Sequence, residues 1–342
     1  MSVAGRRCRF CSYACLTLLI AATTALAASR PATAAARAKR SPRAIASIVG
    51  GAGASISSFP FQVALYDPAA GSPAAGFFCG GVIIDATHVI TAAHCLAGGG
   101  GSHSRGEVAG EIEVLAGSTR LDQLEPGSVR DPDATVSVDP DYEPATNDYD
   151  IGVVTLAHPL WSSSNPPSIN GTSAIAPLSI DIAAAEGYGE PNATPATIAT
   201  VSGWGDTSPE PSGSPNYPTA LRSVSVPLIP EALCQEEYAG IEQTITPSMI
   251  CAGSARPRED SCYGDSGGPL VVDRDNPARP PEDYVLIGLV DFGNGCAQPG
   301  FAGVYTRIAD PAIAHFIAAD IGHRAKAASH RSGRKQRRRR RR

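Results

Sequence analysis

Short apolar runs alternate with turn-forming clusters through most of the chain. The runs are rich in Val, Ile, Thr, Tyr and Phe, and clusters of Gly, Pro, Asn, Asp and Ser separate them at fairly regular spacing. This pattern is typical of antiparallel barrels or sandwiches rather than of alternating strands and helices. It predicts strands within eight segments: 59–66, 81–91, 112–117, 150–156, 196–204, 222–229, 284–292 and 303–308.

One segment near the end of the chain is a strong helical candidate. It runs from Asp310 to Ile321, and Pro311 stands at the first-turn position where a proline is tolerated. No internal repeat accompanies these elements. The pattern therefore predicts an all-β body followed by a C-terminal helix.

The first residues have the layout of a secretory signal peptide. An apolar stretch over 12–25 follows three arginines and ends at the small-residue site Ala25-Leu26-Ala27. The stretch is shorter than the roughly 18 to 20 residues that cross a bilayer, so residues 1–27 are expected to be cleaved from a secreted protein without a membrane span. Residues 28–47 are rich in Ala, Arg and Pro, which predicts a short pro-segment.

Charge is distributed unevenly along the chain. The formal net charge is −5, but residues 48–322 hold all 33 Asp and Glu residues and only 9 of the 28 Lys and Arg residues, a net of −24. Such a body would attract cationic polypeptides rather than nucleic acid, although its acidity equally serves solubility. The polybasic segment 323–342 is expected to be disordered because its like charges repel one another.

The nine cysteines fall into two groups. Three lie within the predicted signal peptide, and six lie in residues 48–322. An even number in an exported protein favours disulfides over a metal site. Cysteine spacing alone leaves the pairing open.

Three separated motifs carry groups suited to nucleophilic catalysis. Ser266 lies in a glycine-rich run, where missing side chains let the amides of Gly264 and Ser266 face one developing oxyanion. His94 follows a β-prone run as a candidate general base. Asp150 opens another run as the carboxylate that would fix the imidazole tautomer.

Taken together and in the order His, Asp, Ser, these motifs closely resemble the chymotrypsin/trypsin family of serine proteases. The family places its acid directly before an aliphatic strand, which selects Asp150 over its neighbour Asp148. The resemblance covers residues 48–322. Its further landmarks are Ile48-Val49-Gly50-Gly51, Phe59-Pro60-Phe61-Gln62-Val63, Phe78-Cys79-Gly80-Gly81, Val201-Ser202-Gly203-Trp204-Gly205, Met249-Ile250-Cys251-Ala252-Gly253 and Gly303-Val304-Tyr305-Thr306.

The resemblance implies a fold and a set of roles. The fold is two antiparallel six-stranded β-barrels, 48–162 and 163–322, with a C-terminal helix and the triad in the cleft between them. Disulfides are implied for the pairs Cys79–Cys95, Cys234–Cys251 and Cys262–Cys296. By the same resemblance, the base of the primary pocket is Asp260, the residues that keep it open are Gly293 and Gly303, and the activation ion pair joins Ile48 to Asp265.

Two positions depart from the family's pattern. Ser47 precedes Ile48 where the family usually has Arg or Lys, so activation would need another protease or further trimming. Asp291 stands where the family usually has a serine hydrogen-bonded to the triad acid. Two carboxylates in a partly buried site cannot both ionise cheaply, so if Asp291 faces Asp150 one of them should hold its proton at higher pH.

The expected function is that of a secreted serine endopeptidase that cuts after Arg or Lys through an acyl-enzyme. We expect no cofactor, no metal, a monomer, and polypeptide substrates and protein inhibitors as partners. Two alternatives are a catalytically silent homologue used for binding, and a body that its polybasic segment docks to nucleic acid or an anionic surface. The complete triad, together with Asp260, favours the active protease.

Overall fold

The computed structural model describes most of the body that begins at Ile48. The described ranges are 48–97, 112–132, 134–161, 174–188, 197–208, 215–253, 259–274 and 284–322. The predicted signal peptide, pro-segment and polybasic segment lie outside them, as does the predicted boundary between residues 162 and 163.

The described residues form fourteen strands and a few short helices. The strands are β1 (Ala52–Gly53), β2 (Gln62–Tyr66), β3 (Phe77–Ile83), β4 (His88–Thr91), β5 (Glu113–Ala116), β6 (Val129–Asp131), β7 (Thr135–Val138), β8 (Gly152–Thr155), β9 (Ile198–Gly203), β10 (Arg222–Ile229), β11 (Met249–Ala252), β12 (Pro269–Asp273), β13 (Tyr284–Phe292) and β14 (Gly303–Arg307). The α-helices are α1 (Pro73–Gly76), α2 (Ala93–Leu96), α3 (Ile182–Glu186) and α4 (Glu231–Ala239), and residues 311–322 are also helical. Two 3₁₀ turns span Ile56–Ser58 and Pro68–Ala70.

The first sheet contains seven antiparallel strands in the order β6-β5-β2-β3-β4-β8-β7. Its two edge strands, β6 and β7, are separated in sequence only by residues 132–134, so the end of β6 and the start of β7 lie close together. Along β2, Ala64 and Tyr66 enter one buried cluster, while Val63 and Leu65 enter another. Side chains of a strand alternate between its faces, so β2 is covered on both sides.

The second sheet closes on itself. Its order is β1-β10-β11-β14-β13-β12-β9, and β9 also pairs with β10, so six strands form a closed barrel with β1 added at β10. The predicted all-β fold with two barrel-like sheets is confirmed. The strand count differs from two sixes, because the first sheet has seven strands and stays open across the residues that the structure describes.

The predicted strand 81–91 is in fact two strands joined by a turn. Asp85 accepts hydrogen bonds from the amides of Thr87 and His88 at 2.7 and 2.9 Å. An aspartate that bonds to amides two and three residues ahead reverses the chain locally, which β-propensity alone does not register. β3 and β4 therefore pair with each other, with Val82 opposite Ile90.

Both ends of the described body reach across to the other sheet. β1 pairs with β10 on the second sheet, whereas we expected residues 48–162 to build the N-terminal barrel. The helix over 311–322 starts at Asp310, which accepts from the amides of Ala312 and Ile313. Its buried Ile313 and Ile317 belong to the core cluster that also contains Val153 of β8. Within the described ranges, every helix is too short or too polar to cross a bilayer.

Candidate active site

Strand pairing brings His94 and Asp150 together. β4 runs into α2, which carries His94, and Asp150 lies two residues before β8, the strand that pairs with β4. Nδ1 of His94 lies 2.7 Å from Oδ2 of Asp150, and the His94 backbone amide donates to Oδ1 at 2.8 Å. Both carboxylate oxygens of the fully buried Asp150 therefore hydrogen-bond to His94.

The charge environment of His94 suits a general base. Burial opposes the imidazolium, but the attraction of Asp150 and its hydrogen bond outweigh burial and raise the pKa of His94. Because Nδ1 is held by Asp150, the neutral ring presents Nε2 as the atom that can accept a proton.

Asp148, the rival acid, has a different place in the structure. It accepts from the hydroxyls of Thr246, at 2.7 Å, and Ser248. These contacts fasten the loop before Asp150 to the second sheet's side of the molecule. Asp148 is therefore a half-buried, hydrogen-bonded residue rather than a solvated loop acid.

The serine loop packs against the end of the first sheet. The carbonyl of Ser266 accepts from the Gly80 amide at 2.8 Å. Gly267 has φ +74°, and a Cβ at this position would lie 2.0 Å from Oγ1 of Thr91. Thr91 stands three residues before His94, so the loop that carries Ser266 packs close to the segment that carries His94. The close approach requires glycine at position 267.

Two amides of the serine loop remain unused within the described part of the chain. The amides of Gly264 and Ser266 donate to none of its acceptors, and Gly264 holds the left-handed φ of +93°. The other amides of the loop, those of Asp265, Gly267 and Gly268, donate to backbone carbonyls at 2.7–2.9 Å. The two unused donors can stabilise an oxyanion without reorganising the loop.

Asp260 is a buried acid with one unsatisfied oxygen. It is 4% exposed, and its Oδ2 accepts from the Ala297 amide at 2.9 Å. Oδ1 is buried and has no hydrogen-bond partner among the described residues. Burial raises the pKa of Asp260 to about 7. Asp260 is therefore a buried acid with one oxygen that the described residues leave without a donor.

Two glycines border the predicted pocket. A Cβ on Gly303 would lie 2.9 Å from Oδ1 of Asp260, so a larger residue there would cover the unsatisfied oxygen. A Cβ on Gly293 would lie 3.0 Å from the Gly295 carbonyl. The structure therefore brings Gly303 directly to Asp260, whereas Gly293 lies on the adjoining segment after β13.

Three disulfides join the pairs that the family resemblance implies. The bond between Cys262 and Cys296 ties the start of the serine loop to the segment whose Ala297 amide holds Asp260. The Cys79–Cys95 bond links β3 to α2, beside His94. The third bond joins Cys234 to Cys251.

Asp265 and Ile48 are both buried, but they do not form an ion pair in the uncut chain. Asp265 is 1% exposed and accepts from the amides of Gly205 and Cys262 at 2.8 and 3.0 Å. Burial raises the pKa of Asp265 to about 7. Ile48 is fully buried with φ +42°, which is unusual for a β-branched residue, and its nitrogen is a peptide amide while Ser47 precedes it.

Asp291 faces the triad acid, a question that the sequence left open. Ligand-type atoms of His94, Asp150 and Asp291 all lie within 4.8 Å of one another. Nδ2 of Asn147 donates to Oδ1 of Asp291 at 3.0 Å. Sequence reasoning missed Asn147, since an asparagine in a polar loop carries no signal of such a contact.

Comparison with known proteins agrees with this geometry. A family model described as Trypsin matches residues 48–317. Trypsin-1 of Astacus astacus is 32% identical over 261 residues, covering 76% of this chain and 95% of that protein. Anionic trypsin of Canis lupus familiaris is 34% identical over 262 residues, covering 76% and 85%. Serine protease filzig of Drosophila melanogaster is 35% identical over 266 residues, which are 76% of this chain but 14% of that much longer protein.

The family match, the relatives and the fold lead to one assignment. The match spans both sheets and contains the buried His94–Asp150 pair and the Ser266 loop. The alignments with the two trypsins cover most of the length of those proteins. The chain belongs to the trypsin family and is a serine endopeptidase, a hydrolase that acts on peptide substrates.

Proposed function

We propose that this endopeptidase cleaves after Arg or Lys and that it works as a secreted monomer after loss of residues 1–47. The observation that carries the specificity is the unsatisfied Oδ1 of Asp260, buried beside Gly303. Protein inhibitors that present Arg or Lys would occupy the same pocket.

The proposed chemistry follows from the triad geometry. Oγ of Ser266 attacks the scissile carbonyl carbon while Nε2 of His94 takes the hydroxyl proton, and Asp150 stabilises the imidazolium. The amides of Gly264 and Ser266 bind the oxyanion. His94 then gives its proton to the leaving amine. Water hydrolyses the acyl-enzyme by the same steps in reverse, which restores Ser266.

The preference for a basic residue follows from the electrostatics of Asp260. Burial makes the charged carboxylate costly, as its raised pKa shows. A guanidinium or ammonium of the substrate would supply both the missing hydrogen bond at Oδ1 and the opposite charge. A neutral side chain would leave that oxygen unpaired, so it should bind poorly.

Activation is proposed to depend on Asp265. Cutting between Ser47 and Ile48 would convert the buried amide of Ile48 into an ammonium group. This cation could pair with Asp265, the acid directly before the nucleophile, and so fix the loop that carries the oxyanion donors. Since Ser47 is not basic, the activating protease must differ in specificity from the one proposed here.

The test replaces Asp260 with serine. In Asp260→Ser, the ratio of kcat/KM for Arg over Phe ester substrates should fall by about 10²-fold or more, because an uncompensated buried charge no longer selects the cation. Labelling of Ser266 by a sulfonyl fluoride should persist, which shows that the triad is intact.

Asp139→Asn is the matched control. Asp139 is also a buried acid with one unpartnered oxygen and a pKa raised by burial, but it lies directly after β7 in the first sheet. Its substitution should leave the Arg-over-Phe ratio unchanged. An unchanged ratio in Asp260→Ser would show that another group sets the specificity.

A further inference from the structure

The carboxyl group of Asp291 is buried with only one protein donor. The residue is 5% exposed, on β13 at the back of the triad. Oδ1 accepts from Nδ2 of Asn147. Oδ2 is also buried, and among the described residues no donor reaches it. A buried carboxylate oxygen without a donor is costly, so this atom calls for a proton or a partner.

What lies beside Asp291 is a second carboxylate. Both oxygens of Asp150 already accept hydrogen bonds from His94, one from Nδ1 and one from the backbone amide. Two ionised carboxylates at this separation repel each other in a buried site, and a single proton between them converts the repulsion into a hydrogen bond. Burial and the Asp150 charge raise the pKa of Asp291 well above its ordinary range.

Among the described residues that surround Asp291, no fixed cation replaces that proton. Asp148 adds negative potential to Asp291, and Tyr142 and Tyr238 have pKa values that burial and nearby acids, Asp291 included, raise. His94 is the one basic group in the cluster that the described residues form, and it is neutral when it acts as base. The titratable groups facing Asp291 are thus His94, Asp148, Asp150, Tyr142 and Tyr238.

We propose that Asp291 retains its proton in the working enzyme and donates it to Asp150, so that a carboxylic acid orients the triad carboxylate. Asp291 is then a positioning residue that acts through Asp150. The inference rests on the proposed triad and goes beyond it. The pair carries one negative charge in total, which preserves the His94–Asp150 interaction that activates Ser266.

The loop before Asp150 supports this arrangement. Asn147 and Tyr149 both have left-handed φ values, +56° and +53°, and Asp148 between them is anchored by the Thr246 and Ser248 hydroxyls. The anchored loop presents the Asn147 amide to Oδ1 of Asp291. Because that oxygen is occupied by a donor, the proton belongs on Oδ2.

A direct test does not depend on activity. Infrared difference spectra of Ser266→Ala protein at pH 9 should contain the C=O stretch of a protonated carboxylic acid. At this pH, Asp260 and Asp265, with pKa values of about 7, are ionised. Adding Asp291→Asn should remove the band, and adding Asp139→Asn should not remove it. A band that persists in Asp291→Asn would overturn the proposal. If Asp291→Asn does not fold, the same spectrum is measured on Asp291→Ser.

The pH dependence of kcat/KM gives a second test in otherwise wild-type enzyme. Ionisation of Asp291 at high pH would place a second negative charge beside Asp150 and disturb its contact with His94, so activity should fall. Asp291→Asn cannot ionise, and its alkaline limb should shift to higher pH while the acidic limb set by His94 stays in place. Alkaline limbs that coincide would overturn the proposal. If the triad assignment itself is wrong, Ser266→Ala protein still cleaves, whereas the infrared band responds only to Asp291, which separates the two failures.

Discussion

Three buried acids near the proposed cleft differ in how well the protein satisfies them. Among the described residues, Asp265 receives two backbone amides, one at each oxygen, whereas Asp260 and Asp291 receive one hydrogen bond each and have one oxygen without a donor. Burial raises the pKa of all three. Their different partners suggest different ways to compensate the buried charge: a substrate cation for Asp260, a new terminal ammonium for Asp265 and a retained proton for Asp291.

Gly267 offers a sharp test of the serine loop at the residue scale. In Gly267→Ala, the new Cβ would meet Oγ1 of Thr91 and the Gly80 carbonyl at 2.0 and 2.7 Å. Since backbone must move, we expect a loss of at least about 2 kcal/mol in the free energy of unfolding and a large fall in kcat.

The matched variant separates the clash from the cost of left-handed backbone. Gly127 has φ +91°, but a Cβ there would meet nothing within 4 Å. Gly127→Ala should therefore cost only about 1 kcal/mol and leave kcat unchanged. Equal effects of the two substitutions in denaturant unfolding and in steady-state kinetics would show that the packing at Thr91 is unimportant.

At the scale of elements, strand pairing delivers the site, and the longest strands were the most predictable. The runs 222–229 and 284–292 coincide with β10 and β13, because the first alternates serine with valine before its apolar end and the second is a long, mostly apolar run. The contact between His94 and Asp150 was likewise predictable, because their motifs together with that of Ser266 resemble the chymotrypsin/trypsin family in residue type and order. By contrast, β6 and β7 are only three and four residues long and are partly polar, so even the alternation in β7 is too short to mark a strand.

Other elements depend on contacts that lie far apart in sequence. α4 buries only Cys234 and Tyr238, too narrow a stripe to stand out as an amphipathic helix. The Asn147–Asp291 hydrogen bond spans 144 positions. The crossing of β1 to β10 similarly joins Ala52 to Ser223. Local pattern contains no information about such partners, which is why these features required the structure.

The C-terminal helix is predicted to stabilise the first sheet as well as the second. Ile317 is 3% exposed and shares a cluster with Val153 and Leu286, one from each sheet. Ile317→Ala should lower the free energy of unfolding by about 2–5 kcal/mol, because it leaves a cavity between the two sheets. Thermal unfolding followed by far-UV circular dichroism would measure the loss.

His315 provides the control on the same helix. It is exposed, so His315→Ala should change stability by no more than about 0.5 kcal/mol. A loss in His315→Ala equal to that in Ile317→Ala would mean that helix propensity, rather than packing between sheets, determines the effect.

At the scale of the whole molecule, buried ionisable groups set how stability changes with pH. Asp260 and Asp265 have folded pKa values of about 7, above the ordinary 3.8, so between these limits the unfolded state binds fewer protons than the folded state. Stability should therefore decline as pH rises from about 4 to about 7. The raised pKa of His94 acts in the same direction, because its contribution is lost as pH rises through that value.

Two other acids should make the folded state less stable at low pH. Burial would raise the pKa values of Asp85 and Glu113, but hydrogen bonds from His88 and Tyr66 outweigh it and lower them. Their contribution is present above the ordinary carboxyl pKa and is lost as pH falls further. Maximum stability of the uncut chain is therefore expected near about pH 4, where both kinds of group favour the folded state.

Cutting between Ser47 and Ile48 should change this pH dependence, because it creates a cation where the uncut chain has a neutral amide. Near pH 8 the new ammonium can pair with ionised Asp265, so ionisation of that acid no longer opposes folding.

Ser266→Ala protein prepared uncut and with Ile48 as its first residue should show the difference in urea unfolding at pH 5 and pH 8. The uncut form should lose stability between the two values, at about 1.4 kcal/mol per acid for each pH unit between pH 5 and the folded pKa of about 7, and the cut form should lose clearly less. Asp265→Asn removes the acid, so cut and uncut forms of that variant should respond to pH alike. If the cut and uncut forms with Asp265 intact already respond alike, the ammonium does not reach Asp265, and activation must proceed by another route.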